Sequence, residues 1–412
     1  MQVVYERCCG LDIHKQTVVA CAVVPGAHGQ PHKEIRTFRT MTADLLELAD
    51  WLTAQGITHV ALESTGVYWK PAWNVLEGSF TLLLVNARHI KQVPGRKTDV
   101  RDCEWIADLL RHGLLRASFI PDRAQRELRE LTRYRTSLVR ERTAERNRVQ
   151  KTLEGASIKL GDVASDVFGA SGRQMLEALV GGTSDPKALA ELAKGQLRAK
   201  LPQLERALDG QMGGHQRFLL AQQLAHLDGL DELIDRLSQE IADRLRPVQD
   251  KIERLDAITG VGQRTVEVFL AEIGTDLTHF PSAAHLASWA GICPGNNESA
   301  GKRRSGKTGK GDVWLRAALL EAAQAASCTK DTYLASQYHR LAGRRGKKKA
   351  IIAVAHSILR IVYHLLTHDC EYVDLGSRYL DDREQDQIKR RLVRRLEGFG
   401  YTVKLEPTAA AA

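Results

Sequence analysis

Residues 8–13 and 17–25 are two apolar, β-rich runs separated only by the polar turn His14-Lys15-Gln16. The second is almost wholly apolar, as a buried strand should be. Residues 35–41 alternate and give a third strand. Thr42-Ala43-Asp44 then opens an amphipathic helix to about Gln55. A fourth strand at 59–64 is followed by the Thr65-Gly66 turn and a helix over 67–77. A fifth strand lies at 81–86, and a strong helical run extends from Asp99 to Leu110. The order β-β-β-α-β-α-β-α is that of an RNase H-like mixed sheet, and it constrains the chain more than any other feature.

That order says where the acids fall. In such a sheet the first and fourth strands are neighbours. Asp12 ends the first and Glu63 ends the fourth, so both carboxylates can reach one spot. The segment Lys97-Thr98-Asp99-Val100-Arg101-Asp102 opens the last helix. Helical positions i and i+3 share a face, with Cβ atoms roughly 5–6 Å apart. Carboxylates held that close repel unless a cation sits between them, and hard divalent ions take carboxylate oxygens. Each acid has an ordinary explanation alone: a turn residue, a strand-end group, a helix cap or a solvated side chain. Four at matching points of one element order point to metal binding. The expected cofactor is Mg²⁺ or Mn²⁺, two ions per site. Two ions about 3.5–4 Å apart can clamp the attacking and leaving oxygens of a phosphodiester and neutralise charge in its transition state.

At 412 residues the chain should hold two or three domains, and 43% hydrophobic residues suffice for real cores. Net charge is +9, which suits a polyanionic partner. Residues 1–118 carry 13 Lys/Arg against 12 Asp/Glu, whereas 285–350 carry 13 against 4. The basic surface is therefore expected in the C-terminal half. Seven cysteines without a C-x-x-C pair predict reduced thiols, with no zinc site and no disulfide framework. No signal-peptide pattern follows Met1, and no run is read as approaching the ~20 apolar residues of a membrane span. The expectation is a cytoplasmic, nucleoid-associated bacterial protein with no membrane partner.

Beyond a first domain at 1–118, residues 119–250 read as a helical, coiled-coil region. Nine arginines and one lysine punctuate 121–153, a long basic helix. A solvated face and nucleic-acid contact are equally open for it. Residues 154–212 give short helices around 185–195 and 197–208, with no legible task. In a second long helix, 215–246, Leu220, Leu227, Leu230, Ile234, Leu237 and Ile241 make a heptad-like seam. The seam can pair back onto 121–153 or between subunits, and self-association is expected.

Residues 251–370 form a further, mainly helical domain. In Leu255-Asp256-Ala257-Ile258-Thr259-Gly260-Val261-Gly262 followed by 265–273, helix, Gly-x-Gly and helix make a helix-hairpin-helix-like element. Backbone N–H groups at Gly260 and Gly262 could approach a phosphate there, and a plain αα turn is the alternative. A short helix follows at 282–289. Residues 294–311 read as a Gly- and Lys-rich loop. Gly301 to Thr308 match the P-loop pattern letter for letter, but no apolar strand precedes them and no strand ending in Asp follows. Lys302, Arg303, Arg304, Lys307 and Lys310 suit a DNA backbone better. Ser299 lies in this basic setting. Serine is a weak nucleophile unless a neighbour takes its proton or a cation lowers its pKa, and chemistry alone does not separate Ser299 from Ser305 or Thr308. Residues 313–327 and 348–367 are apolar helices. Between them Arg344, Arg345, Lys347, Lys348 and Lys349 form a second cationic patch. From 371 the tail is a charged helix, 383–397, with a disordered end.

Several motifs recur together. They are Gly10-Leu11-Asp12-Ile13-His14-Lys15, Glu63-Ser64-Thr65-Gly66-Val67-Tyr68 and Lys97-Thr98-Asp99-x-x-Asp102. Further on come Gly260-Val261-Gly262, Ala271-Glu272-Ile273-Gly274, Leu286-Ala287-Ser288-Trp289-Ala290-Gly291, Glu298-Ser299, Gly311 to Arg316, and Gly346-Lys347. With this set the sequence resembles the DEDD-type transposases of insertion-sequence family 110, which include the Piv DNA invertase. The resemblance covers about 8–118 and 252–368. It implies a RuvC-like domain whose four acids match Asp12, Glu63, Asp99 and Asp102. It also implies a C-terminal transposase domain whose nucleophilic serine lands on Ser299 and forms a 5′-phosphoserine link to DNA. Both domains would contribute to one composite site between subunits, in a dimer or tetramer. A structured guide, the bridge RNA, would choose target and donor, and the long helices would hold subunits and RNA together. Two residues depart from the family's pattern: Ala300 separates Ser299 from Gly301, and Cys103 stands where alanine is usual.

The expected activity is thus DNA cleavage and rejoining for insertion-sequence mobility. One rival is a metal-dependent endonuclease of the Holliday-junction-resolvase kind, with no covalent intermediate. Another is a non-catalytic nucleic-acid-binding factor.

Overall fold

The computed structural model describes residues 2–26, 30–64, 66–86, 102–295, 297–299 and 302–405; at 297–299, 302–305, 383–384 and 386–388 it describes the backbone alone. The chain divides into two compact units, Met1–Pro121 and Asp122–Ala412.

The first unit is built on a five-stranded mixed sheet of β1 (Cys8–Ile13), β2 (Thr17–Pro25), β3 (Pro31–Arg39), β4 (His59–Glu63) and β5 (Thr81–Val85), in the order β3-β2-β1-β4-β5. The first three strands are antiparallel, and β4 and β5 run parallel to β1. The expected order holds. Only β3 differs clearly, starting at Pro31 rather than residue 35. It is an edge strand, and His32, Lys33 and Glu34 join the ladder through the backbone without an apolar alternation to announce them.

Side chains of alternate residues leave β1 on opposite faces. Cys9, Leu11 and Ile13 pack with Leu45, Leu48 and Leu52 of α1 (Thr42–Ala54) and Trp73 and Leu76 of α2 (Trp69–Leu76). Cys8 packs on the other face with Ile106, Ala107 and Leu110 of α3 (Asp102–Arg111). Burial on both faces explains why the strand reads as an apolar run. Each fully buried aliphatic side chain here contributes about 1.5–3 kcal/mol relative to exposure. Gly10 sets how close α3 lies: a Cβ there would fall 2.3 Å from the Cys103 carbonyl oxygen and 2.5 Å from the Ala107 nitrogen. The expected helix start at Asp99, and Lys97 before it, lie outside the described residues.

The second unit opens with α4 (Arg123–Gly155), which lies antiparallel to α9 (Gly214–Leu245). Three side-chain bonds mark the pairing. Thr152 Oγ1 donates to Gln223 Oε1 at 3.1 Å, Arg142 Nη1 to Asp231 Oδ1 at 2.7 Å, and Arg244 Nη1 to Glu127 Oε2 at 3.1 Å. Leu138, Leu230 and Ile234 are buried between the two helices. The apolar seam of the second long helix is therefore covered from within the chain. The basic helix has an answer beyond the two expected: Arg129, Arg133, Arg135, Arg142 and Arg148 are ion-paired inside this unit. The short helices α5 (Leu160–Val163), α6 (Ala170–Val180), α7 (Pro186–Ala190) and α8 (Leu201–Leu208) share one core with Val149 and Leu153 of α4 and Leu220, Leu224 and Leu227 of α9. They close the far end of the helix pair.

The remaining helices are α10 (Gln249–Asp256), α11 (Gln263–Ile273), α12 (Ala283–Trp289), α13 (Val313–Cys328), α14 (Tyr333–Arg345), α15 (Lys347–His368) and α16 (Tyr379–Glu397). The sequence did not announce α14, whose residues are mostly polar. One expectation needs correction: α15 is long and apolar enough to cross a membrane by length and composition. Its buried stripe, Ala350, Val354, Ile358, Val362 and Leu365, serves as core, because α15 packs against α10, α12, α13 and α14.

Candidate functional site

The sheet brings two of the expected acids together. β1 and β4 are paired as far as Leu11 opposite Leu62, so Asp12 and Glu63 are the next residues along neighbouring parallel strands. Neighbouring strands lie about 4.8 Å apart. Strand parity fixes the face. Asp12 follows Cys8 and Gly10, and Glu63 follows Ala61; Cys8 and Ala61 both pack on the α3 side. Asp102 begins α3 on that same face. Three carboxylates thus share one face at one end of the sheet.

The surroundings of these acids are partly polar. The Asp12 side chain is 21% exposed, and its Oδ2 lies 3.2 Å from His14 Nε2. The Cys103 thiol is held below its ordinary pKa mainly by a hydrogen bond from Cys21, while the Asp12 carboxylate acts in the opposite sense. Asp12 and the first turn of α3 are therefore electrostatic neighbours. Cys103 itself is 3% exposed and packs in the core, which accounts for a small apolar residue at that position. Among the described residues no three His, Cys, Asp or Glu side chains close round a single point. The fourth acid, Asp99, lies outside them. The three described acids offer carboxylate oxygens, with an imidazole at their edge, and oxygens of this kind could hold a hard divalent cation.

The segment expected as a loop at 294–311 is a β-hairpin. β6 (Asn297–Ser299) pairs antiparallel with β7 (Lys302–Ser305), Ser299 opposite Lys302 and Glu298 opposite Arg303. The ladder continues outward through a Pro294–Thr308 bridge and the Gly295 N–H to Lys307 carbonyl bond at 3.0 Å. Strands of three and four residues are too short to show a period of two, and the pairing is made by backbone. Ser299 is the last β6 residue before the connection, with Lys302 across from it. Arg303 and Arg304 lie further along β7, and Lys307 and Lys310 follow beyond it, both exposed.

The remaining expected contacts separate into packed and exposed positions. Gly260, at φ +81°, presses on α13: a Cβ would meet the Ala326 nitrogen at 2.4 Å. Its glycine is accounted for by helix packing. Gly262 is exposed, caps α11 with extended backbone, and has open space where a Cβ would go. Arg344 and Arg345 end α14, and Lys347, Lys348 and Lys349 begin α15, all exposed. Cations in the first turn oppose the helix dipole and cost stability, so the placement is poorly explained by folding alone.

A set of residues behind the hairpin enters the sequence only as members of the motifs Ala271 to Gly274 and Gly311 to Arg316, with no role legible there. Arg316 Nη1 donates to the Gly291 and Gly309 carbonyls at 3.0 and 3.4 Å, tying the two legs together. Gly311 lies flat on Ala290 and Gly291, where a Cβ would come 2.2 Å from the Gly291 nitrogen. Glu272, fully buried, stands in the sequence as a motif residue and an acid in an apolar helix, with no partner named. Its partners Arg129 and Arg133 were visible only as arginines one turn apart.

Comparison with known proteins finds relatives of this chain among transposases. Residues 9–158 match a DEDD-type family profile described as "Transposase", and residues 252–340 match one described as "Transposase IS116/IS110/IS902 family". The chain is 28% identical over 320 residues to a "Probable family 20 transposase" of Pseudomonas aeruginosa, covering 76% of this chain and 85% of that one. It is 27% identical over 302 residues to the "Insertion element IS110 uncharacterized 43.6 kDa protein" of Streptomyces coelicolor, covering 66% and 71%.

Proposed function

The chain belongs to the IS110 family of transposases, enzymes that cut DNA, and from that premise we propose how its own residues carry the reaction. Asp12, Glu63, Asp99 and Asp102 hold one or two divalent cations, Mg²⁺ or Mn²⁺, in a RuvC-like domain spanning 1–118. A cation bound there would neutralise charge developing on a phosphodiester and favour ionisation of the attacking hydroxyl. The observation that carries this reading is that Asp12, Glu63 and Asp102 share one face at one end of the sheet.

Ser299 is the nucleophile. Its Oγ attacks the phosphorus, the bond from phosphorus to the 3′ oxygen breaks, and the 5′-phosphate stays on the serine. The serine proton ends on the departing 3′ oxygen, which leaves as a 3′-hydroxyl. A second 3′-hydroxyl then attacks the phosphoserine, which joins the new strand and restores Ser299. Lys302, Arg303, Arg304, Lys307 and Lys310 around the serine bind the phosphate backbone. The Gly262 turn, Lys97 and the exposed Arg344, Arg345, Lys347 and Lys348 add contacts to DNA or to a bridge-type guide RNA. The working form is a homo-oligomer, a dimer or tetramer, in the bacterial cytoplasm.

Asp12→Asn, Glu63→Gln and Asp102→Asn test the acid set, with Mg²⁺ and DNA carrying the element ends. Each should lower cleavage by about 100-fold or more with DNA binding kept. Cleavage at the wild-type rate in all three would overturn the reading. A resolvase-like reaction, with water attacking, would instead leave cleavage intact in Ser299→Ala.

A further inference from the structure

We propose that Arg133, Glu272 and Asp312 are positioning residues that aim the serine hairpin, an inference that rests on Ser299 being the nucleophile. The hairpin's two legs converge on Gly291 and Gly311, and the next residue, Asp312, is the N-cap of α13. Its two carboxylate oxygens do different work. Oδ1 accepts from the Trp314 and Leu315 amides at 3.0 and 2.7 Å and caps the helix. Oδ2 accepts from Arg133 Nη2 at 3.3 Å. A cap needs only the first.

Arg133 is itself anchored. It meets Glu272 with two hydrogen bonds of 2.7 Å, and the Glu272 side chain is 0% exposed. Neighbouring turns of α4 secure the same end of α11: Gln125 Nε2 and Arg129 Nε donate to the Ala271 carbonyl at 3.1 and 3.0 Å, and Arg129 also donates to the Glu272 carbonyl. Burial pushes the Glu272 carboxyl up, and the guanidiniums of Arg133 and Arg129 work against that push. Burial also opposes the Arg133 charge, and Glu272 and Asp312 overcome it. The guanidinium lies 5.8 Å from the Trp314 ring as well. It is thus fixed on three sides, and Asp312 is tied to the rigid end of α11.

Leverage makes this tie matter. Ser299 is eight residues past Gly291. Fully extended, at about 3.3 Å per residue, such a stretch reaches at most roughly 26 Å. A tilt of a few degrees at the base of a lever approaching that length moves its tip about 1 Å, and such a misplacement can cost about 100-fold in rate. The Arg316 bonds close the legs onto each other, and the Arg133–Asp312 bond sets the direction in which they leave the helices.

Asp312→Ser separates the two roles, because serine caps a helix well but offers no second oxygen to Arg133. Asp312→Asn does so without changing size. The full-length protein is examined by hydrogen–deuterium exchange and by rate of protein–DNA adduct formation at saturating DNA. In both variants exchange across 292–308 should quicken about tenfold while α13 keeps its protection. Adduct formation should slow about tenfold or more with DNA affinity unchanged and the second unit still folded. Wild-type exchange and wild-type rate in both variants would overturn the proposal. A loss of α13 protection together with the rate would also overturn it, since the acid would then be only a cap. If the wild-type protein gives no adduct while exchange still quickens in the variants, it is the serine reading that fails and the anchoring of the hairpin that stands.

Discussion

Arg133 and Glu272, 139 residues apart in sequence, face each other with two parallel hydrogen bonds, Nε to Oε1 and Nη2 to Oε2. The carboxylate has no access to water, so the pair holds α4 against α11, and Arg129 Nε, 3.3 Å from Oε2, is the further cation beside it.

Arg133→Ala should therefore destabilise the second unit by about 3–5 kcal/mol, because it leaves a buried charge with less compensation. Adding Glu272→Met should recover part of that loss, since a neutral, similarly sized side chain removes the stranded charge. Urea unfolding midpoints read both. A double variant as unstable as the single one would contradict this account of the pair.

Gly10→Ala tests the closeness of α3 to the sheet. The added methyl would overlap the Cys103 carbonyl and the Ala107 amide, which are backbone and cannot rotate away. The expected loss is about 1–3 kcal/mol, with α3 and Asp102 pushed off the sheet. Metal-dependent cleavage should fall even at temperatures where the variant stays folded. A variant that melts and cleaves like wild type would show that α3 can shift freely.

The two glycines of the Gly260-Val261-Gly262 turn should respond differently. Gly260→Ala meets α13 backbone and a left-handed φ and should cost about 1–3 kcal/mol. Gly262→Ala meets nothing and should fold normally. If the Gly262 backbone approaches a phosphate, the same methyl should weaken DNA binding, read by titration at fixed salt. Unchanged affinity in Gly262→Ala would reduce the turn to a helix connection.

These contrasts show what the sequence could and could not carry. The five-strand order was legible because buried strands are apolar runs and helices between them have their own period. The adjacency of Asp12 and Glu63 followed from that order alone. The face they share was not legible, since it depends on which helix covers which side. The pairing of α4 with α9 is not legible in sequence because a heptad-like seam does not name its partner. In sequence the Ser299 hairpin looks like a loop because its strands are short, charged and paired by backbone. Arg133, Glu272 and Asp312 come from three separate segments, and only the fold brings them together. Asp99 and Lys97 lie outside the described residues.

Asp374 gives a pH signature in the second unit. Its Oδ1 accepts from the Tyr333 and Gly376 amides at 3.0 and 2.7 Å, and its Oδ2 from the Tyr372 hydroxyl and Thr259 Oγ1 at 2.8 and 3.1 Å. Burial pushes this carboxyl up, but the four donors outweigh it and its pKa lies below the ordinary value. A carboxyl depressed in the folded state adds stability above its unfolded pKa, about 3.9, and loses it as pH falls through the lower folded value. Asp374→Asn should then be less stable by about 1–3 kcal/mol at neutral pH, with a shallower loss of stability below about pH 4. Parallel acid-unfolding curves for the two proteins would contradict the assignment.

The central claim is that Ser299 links covalently to DNA in a reaction that needs the acid set. Purified protein, Mg²⁺, RNA from the element's flank and end-labelled element DNA are incubated, denatured and resolved for a protein–DNA adduct. The account predicts an adduct with the wild-type protein that disappears in Ser299→Ala. Cleavage with no adduct, or an adduct that persists in Ser299→Ala, would contradict it.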